Sequence, residues 1–308
     1  MVRMAWITSG YIPSPGRMAV IAGTTFTQLV RMKVFLFLGL FALALLALSS
    51  FRLSEVLGPE TGGINELVLL KNSAYGAMRV FGLFFCVAAT ALIIPKDAED
   101  RILYTILCKP VPRIDYLMGK VLGVLALTLI AVLLMDAVMT LVLWLRTDTV
   151  VAEQMAALKG RYTVEEMQPY LDRIRLQGAT WNVQVGLSVM MCEFVVLSSL
   201  TLLMSCITNG TIISALLTFM VYLAGLFQTQ ALSMWMGSGT GGLSWWEVMG
   251  GKLFSLIFPN FQIYSVTDSA LNGQVIPLSL FGSLALITLG YFVFHMTLAA
   301  WLFRKKEF

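Results

Sequence analysis

Long apolar runs alternate with shorter polar segments along most of the chain. Six of these runs approach the ~20 apolar residues that a helix needs to cross a bilayer. They occupy residues 34–50, 73–94, 116–145, 183–207, 211–227 and 277–303. The first is short for a span, and the third is long enough to tilt or to project from the membrane. The pattern predicts an all-α polytopic membrane protein, a single domain over residues 1–308 with six transmembrane helices.

Composition favours the same environment. The 308-residue chain is 58% hydrophobic and 12% charged, and its mean hydropathy is +0.83. Soluble domains carry about 25% charged residues, so water cannot be the main solvent of this surface. The net charge of +4 is modest and does not indicate a nucleic-acid partner. Four cysteines are expected to be buried without disulfides. They are Cys86, Cys108, Cys192 and Cys206.

Two of the polar segments have helical patterns of their own. Residues 18–33 place apolar side chains on one face and carry cations without acids, which predicts an amphipathic elbow helix in the membrane interface. A secretory signal peptide is the competing interpretation, but the basic region is too long and the apolar run too late. Residues 146–181 predict a small extracytoplasmic helical hairpin made of helices 150–159 and 164–176, the second beginning with capping-box spacing.

The distribution of cations predicts the orientation. Residues 96–120 hold five cations between the second and third spans, and residues 304–306 are all basic. By the positive-inside rule both segments face the cytoplasm, which puts both termini there, in a cell inner membrane. Residues 228–276 then lie outside, where the short apolar run 248–258 predicts re-entrant or interfacial helices before the last span. The alternative is that this run completes an extra span, which would put the basic C-terminus outside.

The segment between the second and third spans has the densest charge in the chain. Asp97 is suited to cap a short helix over residues 96–109, and Glu99 and Asp100 would lie in its first turn, where the helix dipole favours acids. Its apolar face would consist of Ile102, Leu103, Ile106 and Leu107. A Pro-x-Pro pair after this stretch ends the helix. The pattern fits either a helix lying on lipid or a helix that inserts into a groove of a partner protein.

Signatures of catalysis are absent from the sequence. It contains no Walker-type phosphate loop, no His-x-x-x-His and no Cys-x-x-Cys pattern. The single histidine, His295, lies in the last span with no acid beside it in sequence, and we expect it to be packed and hydrogen-bonded. No nucleophile–base pair can be nominated. We therefore expect neither an enzyme nor a metal or cofactor site in this chain.

Two acids fall inside the predicted spans, Asp136 in the third and Glu193 in the fourth. Ionisable groups at such depth mark an interior or water-lined location. Each lies about 15 Å from the outer end of its span at 1.5 Å per residue, so the two are expected at similar depth, with one protonated or a cation shared. The alternative is a buried hydrogen bond to a serine or threonine on a neighbouring helix. Arg79, near the outer end of the second span, is expected to snorkel.

The charged segment also carries a family resemblance. Glu99-x-Arg101 is followed by Tyr104-Thr105-Ile106-Leu107, then Lys109-Pro110-Val111-Pro112-Arg113, then Tyr116-Leu117-x-Gly119-Lys120. This succession resembles the loop between the second and third spans of ABC-2 type ATP-binding-cassette transporter permeases. Residues 26–33, 205–225 and 257–261 resemble other parts of the family more weakly. Ile102 departs from the pattern, since many relatives have threonine or Gly-Thr there.

The resemblance implies a function and partners. It implies the transmembrane subunit of an exporter for an unidentified substrate, with ATP and Mg²⁺ held by a separate ATPase subunit and a second permease copy or paralogue completing a dimer. Membrane lipids and an extracytoplasmic protein are further expected partners. The residues expected to couple to the ATPase are Asp97, Glu99, Arg101, Ile102, Leu103, Ile106, Leu107 and Arg113.

Two other functions fit the sequence. One is a membrane-embedded assembly or force-transmitting factor of an ATPase-driven envelope complex, which moves no substrate itself. The other is a stand-alone ion-coupled carrier that uses Asp136 and Glu193.

Overall fold

The computed structural model describes residues 13–32, 39–40, 63–101, 111–159, 163–208, 210–237, 245–246, 249–250, 258–266 and 276–305. The regular secondary structure of this part of the chain is helical, as the sequence predicts. The helices are α1 (Pro15–Arg31), α2 (Ile64–Glu99), α3 (Arg113–Leu158), α4 (Val164–Leu176), α5 (Trp181–Ile207), α6 (Thr211–Gly237) and α7 (Leu278–Lys305), with a 3₁₀ helix at Phe261–Ser265.

Five of the described helices, α2, α3, α5, α6 and α7, are long and apolar enough to cross a membrane. They match the second to sixth predicted spans in order. The predicted first span, residues 34–50, lies outside the described residues apart from 39–40. The all-helical architecture is therefore observed, together with five helices able to cross a membrane, and the span at residues 34–50 stays a prediction.

The long helices alternate in direction and share two ends. At one end α2 stops and α3 starts, and the Arg113 guanidinium of α3 donates a 2.6 Å hydrogen bond to the Phe303 carbonyl near the end of α7. We call this the basic end. At the opposite end, which we call the far end, Arg146 of α3 donates a 2.7 Å hydrogen bond to Glu66 at the start of α2. The start of α3, at Arg113, therefore lies beside the last turns of α7.

Helix α3 is longer than the sequence predicts. It runs unbroken from Arg113 to Leu158, whereas the pattern predicts a span at 116–145 and a separate helix at 150–159. The intervening residues 146–149 are polar but include no glycine or proline, so they do not interrupt the backbone hydrogen bonds. The separate helix at 150–159 was thus a wrong prediction, and α4 packs against the last turns of α3.

Two other spans also extend beyond their predicted bounds. Helix α2 begins at Ile64 and continues through Pro95 to Glu99. Proline inside a helix removes one backbone hydrogen bond, but it does not end this one. Helix α6 continues to Gly237, ten residues past the predicted end of its span.

The amphipathic helix α1 packs closely against the first turns of α3. A Cβ atom at Gly119 would lie 2.7 Å from the Ile21 Cβ, and one at Gly123 would lie 2.7 Å from the Ala22 carbonyl oxygen. Two glycines four residues apart let helix backbones approach in this way. The predicted interfacial position of α1 stays a prediction, but its docking on α3 is a feature of the fold.

The segment before α7 is wedged into the bundle. The Pro259 carbonyl lies so close to Gly225 of α6 that a Cβ there would collide with it. Phe261 and Tyr264 are buried, the Phe261 ring lies 4.8 Å from that of Tyr222, and the Tyr264 hydroxyl lies 2.8 Å from the hydroxyl of Thr288 on α7. This segment therefore fixes the spacing of α6 and α7.

Candidate coupling site at the basic end

The charged segment, residues 96–120, begins in the last turn of α2, which ends at Glu99. The Asp100 N–H donates a 2.8 Å hydrogen bond to the Lys96 carbonyl, and Arg101 then adopts a positive φ of 57°. A left-handed residue is a common way for a helix to end, although glycine or asparagine usually takes it. The chain therefore turns sharply out of α2 at Arg101.

Just inside that turn, three side chains form a buried network that we call the end triad. The Asp97 carboxylate accepts a 2.7 Å hydrogen bond from the Tyr116 hydroxyl and lies 2.6 Å from the Lys120 ammonium. The Asp97 and Lys120 side chains are 0% and 4% exposed. Removing one partner of such a buried pair is strongly destabilising, because it leaves the other charge buried and unpaired. The end triad thus joins the end of α2 to the start of α3.

Helix α7 supports the end triad from the side. The Tyr116 ring stacks on that of Phe303 at 5.8 Å, and the Arg113 guanidinium lies 5.8 Å from the centre of the same ring. Together with the hydrogen bond from Arg113 to the Phe303 carbonyl, this fixes the last turns of α7 against α3. Arg113, predicted to contact an ATPase, therefore makes structural contacts in this chain.

Apart from Arg113, the predicted coupling residues divide into three groups. Asp97 is buried within α2, so its predicted role as the cap of a separate helix is wrong. Glu99 and Arg101 are exposed at the turn. The apolar face of the predicted coupling helix lies outside the described residues; it consists of Ile102, Leu103, Ile106 and Leu107.

Helix α1 is tied to the same region. The Arg17 side chain and the Ser14 N–H both donate to the buried Asp115 carboxylate in the first turn of α3, at 2.8 and 3.2 Å. An acid in the first turn also complements the helix dipole. Three helices, α1, α2 and α7, are therefore held at the start of α3.

A second buried network, which we call the central triad, lies in the middle of the bundle. Two nitrogens of the Arg79 guanidinium donate to the two Glu193 carboxylate oxygens at 3.1 and 3.0 Å, and the Tyr222 hydroxyl donates to the same carboxylate at 3.0 Å. The central triad joins α2, α5 and α6. The prediction that Arg79 snorkels to the interface is therefore wrong, because it pairs with Glu193, 114 positions away. The expectation of a cation shared between Asp136 and Glu193 is not met, because Arg79 binds the Glu193 carboxylate and Asp136 has other partners.

The other intramembrane acid does not join this network. Asp136 accepts hydrogen bonds from the Gln184 amide at 2.9 and 3.2 Å and from the Thr140 hydroxyl at 3.4 Å. Gln184 and Glu193 are nine residues apart on α5, about 13 Å along the helix axis. Asp136 and Glu193 are thus not at the same depth, and they do not form one polar site.

Some of these contacts had a sequence signal and others had none. Tyr116 and Lys120 are four residues apart, which puts both on one face of α3, and Gly119 and Gly123 form a small-residue motif. No local pattern links Arg79 to Glu193. The expected packing of His295 is confirmed, since the ring is buried and lies 2.9 Å from the Ser199 hydroxyl.

Comparison with known proteins adds no relative: the chain matches no family model and no curated protein.

Proposed function

We propose that this chain is the permease subunit of an ATP-driven exporter of the ABC-2 type, with residues 96–113 docking to a separate ATPase subunit. The observation that carries the proposal is the end triad. It joins the end of α2 to the start of α3 next to the turn at Arg101. A push on the residues that follow this turn would therefore move the two long helices together. Exposed Glu99 and Arg101 at the turn are accessible to a partner.

Charge supports a cytoplasmic position for the basic end. The sequence segments that adjoin the basic end are 1–33, 96–120 and 304–308, and those that adjoin the far end are 51–72, 146–181 and 228–276. The first set holds twelve lysines and arginines against five acids, and the second holds eight against ten. Lysine and arginine excess marks the cytoplasmic side, where an ATPase and its ATP are found. The proposal therefore places both termini in the cytoplasm of a cell whose inner membrane holds the protein.

The energy source of the proposed exporter is a second protein. The sequence has no Walker-type loop to cradle the phosphates of ATP, so nucleotide and Mg²⁺ belong to the ATPase subunit. A second copy or a paralogue of this chain completes the dimer, and the movement of α2 and α3 against that partner opens a path for the cargo.

The test is assembly with the ATPase subunit and its ATP turnover. Ile102→Glu combined with Ile106→Glu should abolish co-purification and remove the change in ATP turnover that the permease causes. The matched control is Leu176→Glu, which alters an exposed apolar residue at the far end that is 64% accessible. Normal assembly and turnover with the double variant would refute the coupling role.

A second candidate function rests on the far end. Helix α3 continues twelve residues past Arg146 to Leu158, about 18 Å, and packs there against α4. We infer from this projecting pair an alternative role as an assembly or force-transmitting factor that binds an extracytoplasmic protein. ATP turnover stimulated by a lipid or small molecule favours the exporter, whereas turnover that depends on a protein partner favours this alternative.

A further inference from the structure

A large cleft lies beside the end triad, between α1 and the adjoining ends of α2 and α3. Its volume is about 880 Å³. Its polar lining includes Gln28 and Arg31 of α1, Lys96 of α2 and Lys120 of α3, and its apolar lining includes Val20. It is therefore a mixed surface, with cations from three helices above an apolar wall.

Two of these cations are available to bind an anion. Within the part of the chain that the structure describes, the side chains of Arg31 and Lys96 have no ion-pair or hydrogen-bond partner, and the same is true of the Gln28 amide. Lys120 is already paired with Asp97 at 2.6 Å. Asp100, at the end of α2, is an acid in the same lining, but the described cations outnumber it. The cleft therefore attracts a negative group and offers it several N–H donors.

The position of the cleft indicates which kind of negatively charged molecule it binds. It lies at the end of the bundle where the apolar length of α2 stops, which is the depth of the head groups for a helix that crosses a bilayer. On α1, Val20 is 69% exposed, so the helix presents an apolar face beside its cations, as interfacial helices do. A molecule with an anionic head and an apolar tail matches both parts of this surface.

We infer that this cleft binds the phosphate of an anionic lipid head group, with the acyl chains along the apolar wall of α1. Arg31, Lys96 and Gln28 donate to the phosphate oxygens. The lipid would thereby hold α1 against the end of α2. The inference does not depend on the ATPase partner, because the chain alone contains every group involved.

Binding of phosphatidylglycerol to the purified full-length chain in detergent, followed by native mass spectrometry, tests the site. Phosphatidylcholine with the same acyl chains is the reference lipid. A basic residue near a membrane surface contributes enough to change affinity about fivefold. Arg31→Gln and Lys96→Gln should each weaken phosphatidylglycerol binding by about that factor, and Asp100→Asn should strengthen it. Arg304→Gln, an exposed cation at the same end outside this lining, is the matched control and should leave binding unchanged.

A steric variant tests the cleft itself. A Cβ at Gly23 meets no atom within 4 Å, and Gly23 lines the cleft. Gly23→Phe should therefore fill the space and remove the preference for phosphatidylglycerol while the helical circular dichroism is retained. Gly282→Phe, at an equally open glycine on α7, should change nothing.

The outcomes separate the sources of the phosphate. If inorganic phosphate in excess leaves phosphatidylglycerol bound, the lipid is the ligand. If it displaces the lipid completely and binds with the same dependence on Arg31 and Lys96, the cleft takes a free phosphate and the lipid assignment is overturned. Equal weakening by Arg304→Gln, or unchanged binding in Gly23→Phe, would show diffuse surface charge and overturn the site. None of these results alters the assembly test with the ATPase.

Discussion

The end triad and the central triad have the same composition, a carboxylate with one cation and one tyrosine, but they occupy different depths of α2. The end triad uses a lysine and joins two helices beside the charged turn. The central triad uses an arginine held through two nitrogens and joins three helices in the middle of the bundle. In the first, both charged side chains are almost completely buried, whereas in the second the Arg79 side chain is 25% exposed.

The choice of cation gives the two triads different tolerance to change. An arginine binds a carboxylate through a rigid fork of nitrogens and stays charged, whereas a lysine is a flexible point charge. The central triad is therefore fixed in both charge and geometry. The end triad depends instead on the almost complete burial of its lysine and aspartate, and it is the one beside the proposed docking segment.

Removing the acid of the central triad should have the largest effect. Glu193→Ala leaves a permanent Arg79 charge in the middle of the bundle without its carboxylate, so the free energy of unfolding should fall by about 3–5 kcal/mol. Denaturant titration in mixed micelles measures it. Ser188→Ala, an exposed position on the same helix, is the control and should stay within about 0.5 kcal/mol. A loss no larger than that of the control would mean that the central triad does not hold the three helices together.

Removing the acid of the end triad should have the next largest effect. Asp97→Ala leaves the Lys120 ammonium buried without its carboxylate, so we expect a loss of about 3 kcal/mol in the same titration, at the lower end of the range for a broken buried pair. Glu99→Ala alters an exposed acid two residues away and should change stability by less than about 0.5 kcal/mol. Equal effects at the two positions would contradict the buried pair.

The tyrosines provide a matched pair of smaller changes. Tyr222→Phe and Tyr116→Phe each remove one hydroxyl that donates to a carboxylate, at 3.0 and 2.7 Å. A hydrogen bond to a charged group contributes about 1.5 kcal/mol at the lower end of its range, and we expect each variant to lose about that much free energy of unfolding. Tyr170→Phe, on the exposed side of α4, is the control. A tyrosine whose removal costs nothing would not belong to its triad.

Replacing both charges of a triad by apolar side chains should have the smallest effect on stability. Arg79→Met with Glu193→Leu, and Lys120→Met with Asp97→Leu, should each stay within about 1 kcal/mol of the unaltered chain, because no charge is stranded. The two double variants should differ in function. Under the proposed function, only the variant of the end triad should alter ATP turnover by the assembled complex, since that triad lies beside the docking segment. A stable end-triad variant with normal turnover would contradict its role in coupling.

Much of the fold could be predicted from the sequence because apolar runs of sufficient length specify helices locally. The positions of five long helices and the start of α4 at Val164 follow from such runs and from capping chemistry. The bounds were less predictable. The polar residues 146–149 affect whether water or lipid surrounds the helix, but they do not determine whether the helix continues. Asp97 was predicted as a cap because acids favour helix starts, but α2 continues past Pro95 and buries it.

The partners of the buried charges could not be predicted in the same way. Arg79 and Glu193 are 114 positions apart, and their pairing depends on how α2 packs against α5. A single span shows only that a charge lies at depth, and snorkelling is then the simplest outcome for an arginine. For Asp136 the alternative prediction, a buried hydrogen bond to a serine or threonine, was closer to the observed contacts. Its main donor, however, is the amide of Gln184. The contacts of Tyr116 and Lys120 depend equally on the approach of α2 to α3.

The uninterrupted course of α3 has a mechanical consequence. Its 46 residues contain no proline, and they form a rod of about 69 Å, more than twice the thickness of the hydrocarbon core. A tilt of about 5° around its basic end would displace the far end sideways by about 6 Å. Whatever binds beside Asp97 can thus shift α4 on the opposite face without any change in the secondary structure between them.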